Sequence, residues 1–260
     1  MSTAVQHAND LLPDVRLEPT ARRIRALIND ETVADTIDAF VLFERDHLPA
    51  YYLPRAALRD ELLVESDHHT FCPRKGTASY YHVQVGDRLV ENAIWYYPEP
   101  LDHLPELSGL VSFYWDRVDH WFEEDEEVFE HARDPYHRVD ALQSSRHVQI
   151  VVDDWVVADT KRPVLLFETG LPTRYYIPAT DVRTDLLTAN DSASVCPYKG
   201  TATYWSLTVG DRTIADAVWS YSNPVAQVPT IARLLCFFDE RIDHVIVDGV
   251  EQSTPVTPWS

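Results

Sequence analysis

Apolar and aromatic positions recur along this chain in short runs, and few of the runs keep a helical period. RRIRALI, FVLFE, TASYYHVQV and RLVENAIWYY in the first half are rich in β-branched and aromatic residues, as are HVQIVV, VLLFE, TATYWSLTV and RTIADAVWSY in the second. Runs of this kind read as β-strands. Pro54, Pro73, Pro98, Pro178, Pro197 and Pro224 punctuate them. A proline removes a ladder donor, which suits short strands. Two segments in each half read as helical: residues 55–63, with their counterpart after YYIP, and residues 104–110, with their counterpart 228–235. The pattern predicts a mainly β, antiparallel fold with short helices.

The two halves are copies of one unit. CPRKGTASY begins at Cys72 and CPYKGTATY at Cys196, an offset of 124 residues. The same offset superposes VADT at Val33 and Val157, YYLP at Tyr51 on YYIP at Tyr175, and VGDR at Val85 and Val209. It also superposes Arg117, Asp119 and His120 on Arg241, Asp243 and His244. No gap is needed over this span, so the match is a duplication. The period is too long for a solenoid repeat and fits two compact domains. The expected organisation is a leader at 1–21, a first domain at 22–127, a polar linker at 128–145, a second domain at 146–251 and a tail at 252–260. The acidic run EEDEE at 123–127 reads as the solvated start of the linker.

Gly86-Asp87 and Gly210-Asp211 lie between strand-like runs, and glycine in first place suits a two-residue type II′ hairpin. A turn that tight sets Val85 opposite Arg88, Val83 opposite Val90, Tyr80 opposite Ala93 and Ala78 opposite Trp95. Alternation then gives one face to Ala78, Tyr80, Ala93, Trp95 and Tyr97. The second unit repeats all five identities at Ala202, Tyr204, Ala217, Trp219 and Tyr221. The opposite face keeps only its apolar character. Two readings stay open for the aromatic face: the floor of a ligand cleft, or rings over alanines filling a core.

Composition narrows the function classes. The chain has 260 residues, 42 acidic against 22 basic, and a net charge of -20. That balance disfavours nucleic acid and anionic membrane surfaces as partners. The seven glycines form neither a GxGxxG turn nor a GxxxxGK loop. GxSxG and HExxH are also absent. Three cysteines without a CxxC pair support neither a zinc knuckle nor a disulfide framework. The N-terminus lacks the pattern of a secretory signal, and no apolar run approaches a membrane span. The expectation is a soluble cytoplasmic protein without a cofactor.

Candidate chemistry gathers at Cys-Pro-x-Lys-Gly, which enters the aromatic strand and sets Lys75 near Tyr97 and Lys199 near Tyr221. A lysine there suits an anionic or carbonyl group, and a surface lysine beside a conformationally required glycine is the alternative. Glu44 and Glu168 end apolar strands and suit a general acid or base, or a carboxylate paired with Arg59 or Arg183. Cys72 and Cys196 read as small core residues. His68, His69, His82 and His103 have no histidine counterparts in the second unit, which disfavours a metal. The shared Arg, Asp and His of RVDH and RIDH read as local capping or pairing.

SDHHTFCPRKGTASYYHVQVGD, then ENAIWYYPEPL and VSFYWDRVDHWFE, resemble the DUF427 family. NDSASVCPYKGTATYWSLTVGD and ADAVWSYSNPV repeat the resemblance. Where the family has Tyr and Ser, the first unit has Arg74 and Tyr96. The resemblance implies a β-tent-like domain, two antiparallel sheets leaning over a cleft, in two tandem copies. It also carries a nucleotidyltransferase-like label, but no Gly-Ser followed by Asp-x-Asp supports that chemistry here.

Together these readings predict a protein that binds a small molecule in an aromatic cleft, with an enzymatic role left open. Lys75, Tyr80, Trp95 and Tyr97 would line the first cleft, and Lys199, Tyr204, Trp219 and Tyr221 the second. The alternatives are a nucleotidyltransferase-like enzyme and a protein-interaction module. Duplication within one chain predicts a monomer with an internal pseudo-two-fold.

Overall fold

The computed structural model describes residues 13–257. Residues 1–12, most of the expected leader and of the stretch read for a targeting signal, lie outside the described residues, as do 258–260. The chain divides between Asp134 and Pro135 into two compact units.

The first unit contains β1 (Val15–Pro19), β2 (Ile24–Ile28), β3 (Glu31–Thr36), β4 (Phe40–Glu44), β5 (Ala50–Pro54), β6 (Leu63–Cys72), β7 (Gly76–Val85), β8 (Arg88–Tyr96), β9 (Leu110–Phe113), β10 (His120–Glu123) and β11 (Glu126–Val128). They form a seven-stranded sheet, β1-β4-β5-β9-β8-β7-β6, and a four-stranded sheet, β11-β10-β2-β3. The second unit repeats this with β12 (Val139–Gln143), β13 (Val148–Val152), β14 (Trp155–Thr160), β15 (Val164–Glu168), β16 (Arg174–Ile177), β17 (Leu187–Cys196), β18 (Gly200–Val209), β19 (Arg212–Tyr221), β20 (Leu235–Phe237), β21 (His244–Val247) and β22 (Val250–Glu251). Its sheets run β12-β15-β16-β20-β19-β18-β17 and β14-β13-β21-β22. The fold is mainly β and antiparallel, as the strand pattern predicts.

The stretches ahead of Arg22 and Arg146 carry strands. β1 pairs with β4, and β12 with β15, each as the edge of a large sheet. The acidic run is the hairpin of β10 and β11. Its first member, Glu123, is buried and accepts hydrogen bonds from Tyr51 Oη and Arg22 Nη1 at 2.7 Å each. The segments expected as helices hold only three-residue 3₁₀ turns: Arg55–Ala57, Asp60–Leu62, Pro105–Leu107 and Pro229–Ile231. Proline at or just before three of these four turns favours a single turn over a longer helix. Among the described residues no helix is long and apolar enough to cross a membrane.

Two apolar clusters sit on opposite faces of each large sheet. Between the sheets of the first unit, Ile24, Ile28 and Trp121 from one meet Tyr51, Leu53, Val83, Ile94 and Phe113 from the other. Val148, Ile150 and Val247 meet Ile177, Leu207, Val218 and Phe237 in the second. The outer face of the large sheet carries a second cluster. There Tyr52, Ala78 and Tyr80 lie with Tyr97, Leu104 and Leu107 of the segment after β8. In the second unit Tyr176, Ala202 and Trp219 lie with Val228 and Ile231.

The hairpin turn holds but the register does not run through. Gly86 takes φ +55° as the first turn residue, and Val85 faces Arg88 and Val83 faces Val90. Beyond that, β8 carries two extra residues, so Tyr80 faces Trp95 rather than Ala93, and Trp95 no longer faces Ala78. β18 and β19 shift in the same way, and Tyr204 faces Trp219. The bulge centres on Asn92 (φ +48°) and Asp216 (φ +48°), a backbone region that Asn and Asp tolerate. It turns Ala93 and Ala217 into the inter-sheet cores, away from the aromatic face. The other four members of each predicted face stay together.

Candidate functional site

Cys72 to Lys75 form the tight turn between β6 and β7, closed by Lys75 N donating to the Cys72 carbonyl at 3.2 Å. Gly76 follows at φ +108°, and a Cβ there would lie 3.2 Å from the Glu99 carbonyl oxygen. Only glycine allows the segment after β8 to run this close. Leu101 N donates to the Lys75 carbonyl at 3.1 Å. Gly200 repeats the arrangement at φ +100°, 3.3 Å from the Asn223 carbonyl. The Cys-Pro-x-Lys-Gly motif thus ties strand, turn and covering segment together.

Its lysine points inward. Lys75 is 8% exposed, and its Nζ is paired with Glu44 at the end of β4. Lys199 pairs likewise with Glu168 at the end of β15. The partner of each carboxylate is therefore this lysine. Arg59 pairs with Glu31 and Glu61, and Arg183 with Asp185. Burial pushes the Glu44 carboxyl up, but the bond to and charge of Lys75, with His47 and Arg74 behind it, hold it below the usual range. Burial acts the same way on Glu168, where His137 and Lys199 outweigh it. Both carboxylates are ionised at neutral pH.

Aromatic side chains flank each pair. Trp95 Nε1 donates to Tyr52 Oη at 3.0 Å, and Trp219 Nε1 to Tyr176 Oη at 3.1 Å. Burial drives the Tyr52 and Tyr97 hydroxyls far up, with further upward contributions from Glu44, Cys72 and Tyr80. These groups therefore form one electrostatic neighbourhood. Tyr221 has the same relation to Cys196, Tyr204 and Glu168. Tyr80 Oη bonds Thr70 Oγ1 at 2.6 Å, and Tyr204 Oη bonds Ser194 Oγ at 2.5 Å. Tyr80, Tyr97, Trp219 and Tyr221 are buried, while Trp95, Tyr204 and Lys199 keep part of their surface in solvent. Half-buried Tyr114 and Phe238 lean on the two tryptophans, with ring centroids 4.8 and 4.4 Å away.

The structure thus brings Lys75, Tyr80, Trp95 and Tyr97 to one face, and Lys199, Tyr204, Trp219 and Tyr221 to its counterpart. Sequence reasoning missed Tyr52 and Tyr176, whose signal was the shared Tyr-Tyr pair of YYLP and YYIP. It also missed His137, which has no counterpart in the first unit and lies in the stretch read as linker.

The other singled-out residues have local partners. His68 lies against the Tyr80 ring at 4.7 Å, and His69 Nδ1 is 3.1 Å from Ser79 Oγ. His82 Nδ1 accepts from the Asn92 amide of the bulge at 2.8 Å. Among the described residues no cluster of three His, Cys, Asp or Glu suits a metal ion. Cys72 and Cys196 are free and half-buried. Arg117 and Arg241 hold the bulge carbonyls, Asp119 and Asp243 accept from Arg88 and Arg212, and His120 and His244 bond Glu127 and Glu251 at 2.6 Å.

A family model described as a domain of unknown function (DUF427) matches residues 16–124 and again 140–248. Each match begins inside an edge strand, β1 or β12, and runs through the last paired strands of its unit. No curated protein matches the sequence. With two matches covering most of its length, the chain belongs to the DUF427 family, as a tandem pair of its domains.

Proposed function

We propose that each unit binds a small molecule against the half-exposed rings of the aromatic face, with its polar end directed to the buried lysine–carboxylate pair. The observation that carries this reading is the pair itself, present twice as Glu44–Lys75 and Glu168–Lys199. Taking two charges out of water costs more than their attraction commonly returns, and a well-packed apolar replacement is often neutral or stabilising. Each pair sits beside an apolar cluster that such a replacement would extend. Its retention in both copies points to a role in recognition.

The rings provide area and the pair provides orientation. A planar ligand body resting on Trp95 and Tyr114, or on Trp219 and Phe238, gains stacking and apolar burial. The ion pair offers both an acceptor and a donor, which suits a ligand end carrying a polar or charged group. The test is a thermal-shift screen of the full chain against aromatic metabolites and nucleotides, with and without Mg²⁺. A ligand at 100 times its dissociation constant adds about 2.7 kcal/mol. The reading expects a metal-independent shift that Trp219→Ala and Trp95→Ala together remove. A shift requiring both a nucleotide and Mg²⁺ would favour nucleotidyl transfer instead.

A further inference from the structure

The two sites share a lysine and a carboxylate but differ in the third charged group. In the first unit Arg74 Nη1 lies 3.4 Å from Glu44 Oε1 and donates to the Arg45 carbonyl at 3.0 Å. Two permanent cations therefore surround one carboxylate. In the second unit Tyr198 stands where Arg74 does, and no arginine reaches Glu168. Its place is taken by His137, whose Nε2 donates to Glu168 Oε1 at 3.0 Å. The imidazole is stacked on the Tyr198 ring, with centroids 4.1 Å apart and planes 23° apart. The first unit has Pro13 at the position of His137. The exchange is thus reciprocal: Arg74 with Pro13 in one unit, Tyr198 with His137 in the other.

We infer that both sites take an oxyanion on a planar body, the first at any physiological pH and the second only while His137 carries its proton. The inference rests on the small-molecule reading above and names its ligand class. A guanidinium stays charged throughout this range, whereas an imidazole exchanges its proton within it. Arg74 and Lys75 leave one positive charge uncompensated beside Glu44. Lys199 and Glu168 cancel, so the charge of the second site is the charge of His137. A local positive excess in a chain of net charge -20 is a specific feature of these two places. The charged and titratable groups facing His137 are Glu168 from β15 and Lys199 from the turn before β18, with the Tyr198 ring beneath. Facing Glu44 in the first unit are Lys75, Arg74 and the exposed His47. The last is neutralised as a variable by working in a His47→Gln background.

The experiment is isothermal titration of the full-length chain with benzoate, which stays anionic throughout, between about pH 5.5 and about pH 7.5. One unit is silenced at a time, by Glu44→Leu with Lys75→Met or by Glu168→Leu with Lys199→Met. The second unit's affinity is expected to fall about tenfold over this range, the scale of one partly screened charge. The first unit's affinity should change less than about twofold. His137→Arg should abolish the pH dependence of the second unit, and Arg74→Tyr should weaken the first about tenfold. Inorganic phosphate at fixed pH, run in the same chains, separates carboxylate from phosphate as the preferred oxyanion.

Equal pH dependence in the two units, or dependence that survives His137→Arg, would overturn the inference while leaving ligand binding intact. Binding of a neutral aromatic amide as tight as that of benzoate would overturn it in the same way. Absence of any binding to either unit, in chains that melt like the parent, would overturn this inference and the small-molecule reading together.

Discussion

Arg117 reaches the bulge of β8 through one nitrogen: Nη1 donates to the Asn92 carbonyl at 2.7 Å and to the Glu91 carbonyl at 2.7 Å. The two extra residues of the bulge leave these carbonyls without ladder partners, and the guanidinium satisfies both. Arg241 does the same for Ala215 and Asp216 at 3.1 Å. Arg117→Met should therefore lower the stability of the first unit by about 2 kcal/mol, the range of charge-assisted bonds to backbone. The longer bonds of Arg241 predict a smaller loss for Arg241→Met. Denaturant unfolding of both variants checks the order, and a neutral Arg117→Met would show that the bulge stands without it.

The glycine of Cys-Pro-x-Lys-Gly can be separated from an ordinary turn glycine. Gly76→Ala meets a left-handed φ and a backbone oxygen at 3.2 Å, whereas Gly86→Ala meets only the φ, with open space around its Cβ. The hairpin variant should cost about 1 kcal/mol. Gly76→Ala should cost clearly more and loosen the segment over the aromatic face, seen as faster amide exchange at Leu101. Equal costs would mean that the close approach of residues 99–101 is not tight.

Arg174 divides two carboxylates unequally. It gives both arms of its guanidinium to Glu240, at 2.9 and 2.6 Å, and stands 3.7 Å from Asp239. Burial pushes the Asp239 carboxyl up to about 7 against the attraction of Arg174, from an ordinary value of 3.8. Between those two values the folded chain keeps a proton that the unfolded chain has lost. Stability should therefore fall as pH rises from about 4 to about 7 and level off above that. Asp239→Asn should remove this part of the pH dependence, and the difference between wild type and variant isolates it. A difference that grows in the opposite direction would mean that Asp239 is ionised in the fold.

Much of this architecture was legible in the sequence because duplication supplies an internal control. Identical residues at the same offset exposed the tandem units, the Gly-Asp hairpins and four of the five members of each aromatic face. The bulge escaped because only Asn92 and Asp216 mark it, as poor strand formers inside otherwise good strands. The helical expectation at 55–63 failed because a short apolar run beside a proline does not distinguish a helix from two 3₁₀ turns. The lysine–carboxylate pairing joins residues 31 positions apart. It became visible only once β4 and β7 were placed in one sheet. His137 was invisible for the opposite reason: it belongs to one copy alone.

The most direct test concerns the buried pair, replaced as a unit. Lys199→Met alone leaves Glu168 short of a partner and should destabilise the second unit by about 3 kcal/mol. Glu168→Leu with Lys199→Met should restore the melting temperature to that of wild type or above. If the pair exists for recognition, the double variant should lose the thermal shift that a ligand gives the intact second unit, measured in a chain whose first unit carries Glu44→Leu and Lys75→Met. A double variant that melts well below wild type, or that keeps the full ligand shift, would contradict the account and make the pair a structural element.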